Sequence, residues 1–86
     1  MKISPGYLLR SIAGKNIVIS VHDNLDFNGM ITLNDTGVFF WNLLQNDITK
    51  EEMIAAVMKE YDVSEAEVSG DIDEFIKKLS DANILE

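Results

Sequence analysis

His22 beside Asp23 is the first place in this chain where residue types suggest chemistry, since an imidazole next to a carboxylate could move a proton. General acid–base work also needs a positioned reacting group. No nucleophile accompanies the pair at any readable spacing, and an ordinary surface histidine accounts for it. The serines lie outside any G-x-S-x-G context, and the G-x-x-x-x-G-K-[ST] phosphate loop is absent. Asp71, Asp73 and Glu74 gather three carboxylates in four residues, but on a helix they point around the axis and not to one centre. Asp23 and Asp26 lack the spacing and the bidentate glutamate of an EF-hand loop. With no cysteine, thiolate nucleophiles, thiolate metal sites and disulfides are all excluded. The expectation is no catalytic residue, no metal and no cofactor.

The remaining chemistry is that of the backbone. Asn28, Gly29, Met30, Ile31, Thr32 and Leu33 read as a short strand, with Met30 and Thr32 on one side and Gly29, Ile31 and Leu33 on the other. Asn34 or Asp35 then supplies a helix N-cap. If the strand lies at a sheet edge, its unpaired N–H and C=O groups can dock another peptide.

The elements that would hold this strand can be read on either side of it. Residues 1–6 form a lead-in that ends at the Pro5-Gly6 turn. Tyr7 to Ala13 reads as a first strand, Gly14-Lys15-Asn16 as a tight link, and the β-branched run Ile17 to Val21 as a central strand. Residues 22–27 form a loop. After the third strand, a helix over about 35–46 presents Phe40, Trp41, Leu43 and Leu44.

Thr49-Lys50-Glu51-Glu52 is a capping box, followed by a helix to about Tyr61 that buries Met53, Ile54, Val57, Met58 and Tyr61. Ser64-Glu65-Ala66-Glu67 is a second box, opening a helix to about Ala82 with Val68, Ile72, Phe75, Ile76 and Leu79 on one stripe. Ile72, Phe75 and Leu79 read as core, yet the width of the stripe leaves room for a groove beside the strand. Gly70 falls on the opposite face. Three strands followed by three helices predict an α+β fold, with the helices gathered on one face of a small antiparallel sheet.

Composition bounds the rest. The chain has 86 residues, 47% hydrophobic and 26% charged, which fits one globular domain over 1–86. Pro5-Gly6 and Arg10 interrupt any signal-peptide core, and no apolar run is long enough to span a bilayer, so the expected location is the cytosol. The net charge of −8 lies wholly in the second half: residues 1–46 balance three acids against three bases, and residues 47–86 hold twelve acids against four lysines. A sheet with three helices also describes a winged helix-turn-helix, but the third helix carries six acids against Lys77 and Lys78, and phosphate would be repelled.

The run from Asn28 to Gly37, continuing through Phe40-Trp41-Asn42-Leu43-Leu44, resembles the central signature of PqqD-like proteins, the peptide chaperones also called RiPP recognition elements. Thr49 to Glu52, Glu60 to Val63 and Asp71 to Leu79 extend the resemblance along nearly the whole chain. Two departures stand out: Asn46-Asp47 where the family often has Asp-Gly, and Asn83-Ile84-Leu85 where it often has Gly-Leu-Leu. Asparagine tolerates the left-handed conformation that glycine would adopt in such turns.

The resemblance implies a winged-helix-like, non-catalytic domain that binds the leader segment of a ribosomally made precursor peptide. It further implies presentation of that precursor to a tailoring enzyme, commonly a radical SAM protein. The implied peptide site is the strand Asn28, Gly29, Met30, Ile31, Thr32 and Leu33 with a helix wall of Val68, Asp71, Ile72, Phe75, Ile76 and Leu79. Lys77 and Lys78 could meet an acidic leader residue. Two other readings compete with it, a winged-helix DNA-binding module and a structural docking domain cut from a larger enzyme.

Overall fold

The computed structural model describes residues 1–20 and 31–86. Strand β1 (Tyr7–Ile12) pairs antiparallel with β2 (Lys15–Ser20), in the register Ile12↔Lys15 through Tyr7↔Ser20. The link is Ala13-Gly14, one residue earlier than the Gly14-Lys15-Asn16 expected, and both turn residues have positive φ, 51° and 79°. Those angles make a type I′ turn, whose twist matches that of the strands it joins. An alanine in this left-handed position costs energy that asparagine or glycine would avoid.

Strand β3 (Ile31–Leu33) pairs antiparallel with β2 through Asn16↔Leu33, Ile17↔Thr32 and Val18↔Ile31, giving the sheet order β1-β2-β3. The expected strand began at Asn28. Asn28, Gly29 and Met30 lie outside the described residues, as do Val21, His22, Asp23 and the rest of the loop to Phe27. Residues that pair across the sheet share a face, so Leu9, Val18, Ile31 and Leu33 face the same way, toward the core. The side of Val18 is therefore the helix-facing one. The Ile17/Ile19 side lies opposite, where Leu8 and Ile12 are 42% and 51% exposed.

Helix α1 (Asp35–Leu43) starts at Asn34, whose Oδ1 accepts the Gly37 N–H at 2.8 Å, and Asp35 takes the first turn, where a negative charge suits the helix dipole. Gly37, Phe40, Trp41 and Leu44 are buried at i, i+3, i+4 and i+7. The helix stops before 46, because the chain turns so that the Ile48 N–H can donate to the Met1 carbonyl at 3.0 Å. Asn46 does not take the left-handed conformation expected of it, since the positive-φ non-glycines among the described residues are Ala13 and Asn83.

Helix α2 (Lys50–Glu60) opens with the full capping box. The Glu52 N–H donates to Thr49 Oγ1 at 3.1 Å, and the Thr49 N–H donates to Glu52 Oε1 at 3.0 Å. Met53 and Val57 are buried and Ile54 is partly so, but Met58 and Tyr61 are 43% and 44% exposed where burial was expected. Met58 lies on the flank of the stripe that meets the core, and Tyr61 lies past the helix end as its C-cap, where it stacks edge-on against Phe39 with centroids 5.4 Å apart.

Helix α3 (Glu65–Asp81) starts at Ser64, whose hydroxyl accepts the Glu67 N–H at 3.2 Å, one half of the reciprocal pair seen at α2. Its end is a Schellman motif. The Ile84 N–H donates to the Leu79 carbonyl and the Asn83 N–H to the Ser80 carbonyl, with Asn83 at φ 59°. Here asparagine does take the left-handed position. Ile84 and Leu79, the two residues this motif brings into apolar contact, are fully buried.

The first residues do more than lead in. The Ile3 N–H donates to the Leu44 carbonyl, the Ser4 N–H to the Ile84 carbonyl and the Glu86 N–H to the Lys2 carbonyl, so this segment runs between the end of α1 and the last residues. Ile3 joins the core. The Met1 ammonium lies 2.7 Å from Asp47 Oδ1 and holds that carboxyl below its usual range through the hydrogen bond and its charge.

Candidate functional site

The turn between β1 and β2 decides which backbone groups of β3 are free. In a type I′ turn the Lys15 N–H bonds the Ile12 carbonyl. Backbone polar groups alternate sides along a strand, so Lys15 and Ile17 point theirs at β1 while Asn16 and Val18 point theirs at β3. Leu33 and Ile31, directly opposite Asn16 and Val18, bond back to β2. Thr32 is left with its N–H and C=O pointing out from the sheet, and among the described residues no strand pairs with that edge.

Beside this edge runs a cleft of about 980 Å³, bounded by Thr32 and Leu33, by Asn34, Thr36, Gly37 and Phe40 from the start of α1, and by the α3 face from Asp71 to Asp81. Its floor is apolar and fixed. Phe40 and Phe75 pack edge to face with centroids 5.4 Å apart. A Cβ on Gly37 would lie 3.2 Å from Leu33 Cβ, 3.3 Å from Asn34 Oδ1 and 3.4 Å from the Phe75 ring. Glycine thus lets the first turn of α1 sit closer to β3 and α3 than a side chain would without shifting its neighbours by a few tenths of an ångström.

The α3 wall is a stripe at i, i+3, i+4 and i+7: Asp71, Glu74, Phe75 and Lys78, with Lys77 and Asp81 beside it. Phe75 is its apolar centre. Of the residues expected on this wall, Asp71 and Phe75 line the cleft. Val68, Ile72 and Leu79 are buried in the core and Phe75 is buried with them, as read for Ile72, Phe75 and Leu79. Ile76, half-buried, packs on the flank of the buried stripe away from Asp71. The α1 residues and Glu74 and Asp81 were not expected at the site. The i, i+3, i+4 spacing from Asp71 could have pointed to Glu74.

Asp73 turns away from the cleft, and its Oδ1 lies 2.8 Å from Lys50 Nζ at the start of α2. The three acids Asp71, Asp73 and Glu74 therefore serve two different surfaces. Among the described residues no three His, Asp or Glu side chains converge as a metal site would require. No helix among them is long and apolar enough to cross a membrane.

The family model for Coenzyme PQQ synthesis protein D (PqqD) matches residues 17–85, which takes in most of β2, all of β3 and all three helices. The chain belongs to the PqqD family. A solved structure described as TbiB1 in complex with the TbiA(beta) leader peptide is similar to this PqqD-family chain, at 26% identity and a TM-score of 0.79, covering 100% of this chain and 95% of that one. The likeness extends over the three antiparallel strands and three helices of this chain. No curated protein matches the chain.

Proposed function

We propose that this PqqD-family chain is a non-catalytic recognition module. It binds the leader segment of a ribosomally synthesised precursor peptide by adding a strand to the edge of β3, and presents that precursor to a tailoring enzyme, commonly a radical SAM protein. The observation that carries the reading is the outward backbone of Thr32 facing a cleft whose other wall is α3. Family membership and the similarity to a chain that binds a leader peptide support it.

Strand addition explains how a small domain can bind without a deep enclosed pocket. Backbone hydrogen bonds supply affinity that tolerates sequence change, and alternate side chains of the guest enter the cleft to supply selectivity. A guest residue opposite Thr32 shares its side of the sheet, so the guest residues before and after it turn toward Gly37, Phe40 and Phe75. In this reading Asn28 to Leu33 form the docking edge, and Asp71 and Phe75 contact the guest. Val68, Ile72, Ile76 and Leu79 hold the wall in place from behind.

The test is titration of isotope-labelled protein with the leader peptide of a precursor encoded beside it. Amide shifts concentrated at residues 31–37 and along the Asp71–Asp81 face are expected. Shifts spread evenly over the surface, or confined to α2, would remove the reading.

A further inference from the structure

The charges of the α3 wall are sorted along its length. Asp71 and Glu74 come first, then Lys77 and Lys78, and all four are exposed at the mouth of the cleft around the apolar floor at Phe75. Asp73, the acid between them, is held 2.8 Å from Lys50 and takes no part. We infer that the cleft selects an extended peptide carrying one acidic and one basic side chain on its cleft-facing side, the acidic one meeting Lys77 and Lys78 and the basic one meeting Asp71 and Glu74. This rests on the strand-addition reading and adds to it a polarity.

The spacing supports a fixed relation between the two guest charges. The centre of the acidic pair lies five residues before the centre of the basic pair, about 7.5 Å along the helix axis at about 1.5 Å per residue. Successive cleft-facing positions of an extended guest are two residues apart, about 6.8 Å. A guest that runs alongside α3 therefore spans from one pair to the other in one same-face step, and long side chains absorb the remaining difference. The reverse guest polarity sets like charges together at both points, and a guest with two acids or two bases does so at one. Asp81 follows the lysines and reinforces the sorting, since a second acid on the guest beyond the lysines would meet it.

Exposed ion pairs are weak, so the effect is selectivity and not the bulk of affinity. Replacing attraction by repulsion at such a pair changes binding roughly three- to tenfold and fades with salt. The probe is a displayed library of random dodecapeptides, sorted on the full chain and on the double variant Lys77→Glu/Lys78→Glu, whose altered side chains are both exposed. The wild-type chain should enrich peptides with an acid and a base two residues apart, in one order, around apolar residues. The variant should favour a base in place of that acid, and Asp71→Lys/Glu74→Lys should shift the other position. Enriched peptides without a charge preference, or a preference the variants leave unchanged, would overturn the inference and leave strand addition standing. Failure of the wild-type chain to enrich any peptide over bare support would remove both.

Discussion

Two residues control the site from opposite sides, Thr32 through its backbone and Gly37 through the side chain it lacks. Thr32→Pro removes an outward N–H without touching the bonds that Ile31 and Leu33 make to β2. Losing one such hydrogen bond, worth about 0.5–1.5 kcal/mol, should weaken leader-peptide binding roughly two- to tenfold by calorimetry. Ile31→Pro, in contrast, breaks the β2–β3 ladder and should lower the melting temperature. Equal binding by wild type and Thr32→Pro would argue against strand addition. At Gly37, valine would press on Leu33, Asn34 and the Phe75 ring within a close-packed junction. Overpacking of this kind costs about 1–3 kcal/mol, measurable by urea unfolding, and it should also narrow the cleft.

At the scale of single elements, the caps and the open helix face offer tests free of the site. Gly70 sits on the exposed side of α3 and an added Cβ meets nothing within 4 Å. Gly70→Ala should therefore stabilise the fold by about 0.5–1 kcal/mol, with peptide binding unchanged. The end of α3 behaves in the opposite sense, because Asn83 holds the left-handed position that closes the Schellman motif. A β-branched residue there is strained, and Asn83→Val should cost about 1–2 kcal/mol in chemical denaturation, whereas Asn83→Gly should be nearly neutral. The two substitutions on one helix thus move stability in opposite directions.

Across the whole molecule, the first and last residues hold the helical layer together. Ile3 is buried between the end of α1 and the segment at Ile84, with backbone bonds to Leu44 on one side and from Glu86 to its neighbour Lys2 on the other. Truncating it to alanine leaves a cavity at that junction, and the expected cost is about 2–4 kcal/mol, read as a lower denaturation midpoint. Because Ile3 does not line the cleft, the loss should appear in stability before it appears in peptide affinity per folded molecule. The charge layout acts at the same scale. The net −8 sits on the helical half, which repels nucleic acid, while the cleft mouth itself carries both signs.

The sequence by itself determined what depends on neighbours a few residues apart: the order of three strands and three helices, the caps at Thr49 and Ser64, the left-handed Asn83, and the passage from strand to helix after Leu33. These are contacts at i+3, i+4 or within one turn, and residue types encode them directly. Sequence left Asn34 and Asp35 as equal candidates for the cap; one hydrogen bond to Gly37 chose Asn34. Only the tertiary structure decided which face of β2 meets the helices, that Ile3 is core, and that Met58 and Tyr61 are not. It also divided the apolar stripe of α3: Val68, Ile72, Phe75 and Leu79 are all buried, but of these Phe75 alone also lines the cleft, between Asp71 and Lys78. A helix repeats every 3.6 residues, so its apolar and polar stripes are legible, but the boundary between buried and open depends on how α1 and β3 approach it. That approach is close at Gly37, where a Cβ would lie 3.4 Å from the Phe75 ring, a contact between segments far apart in the chain.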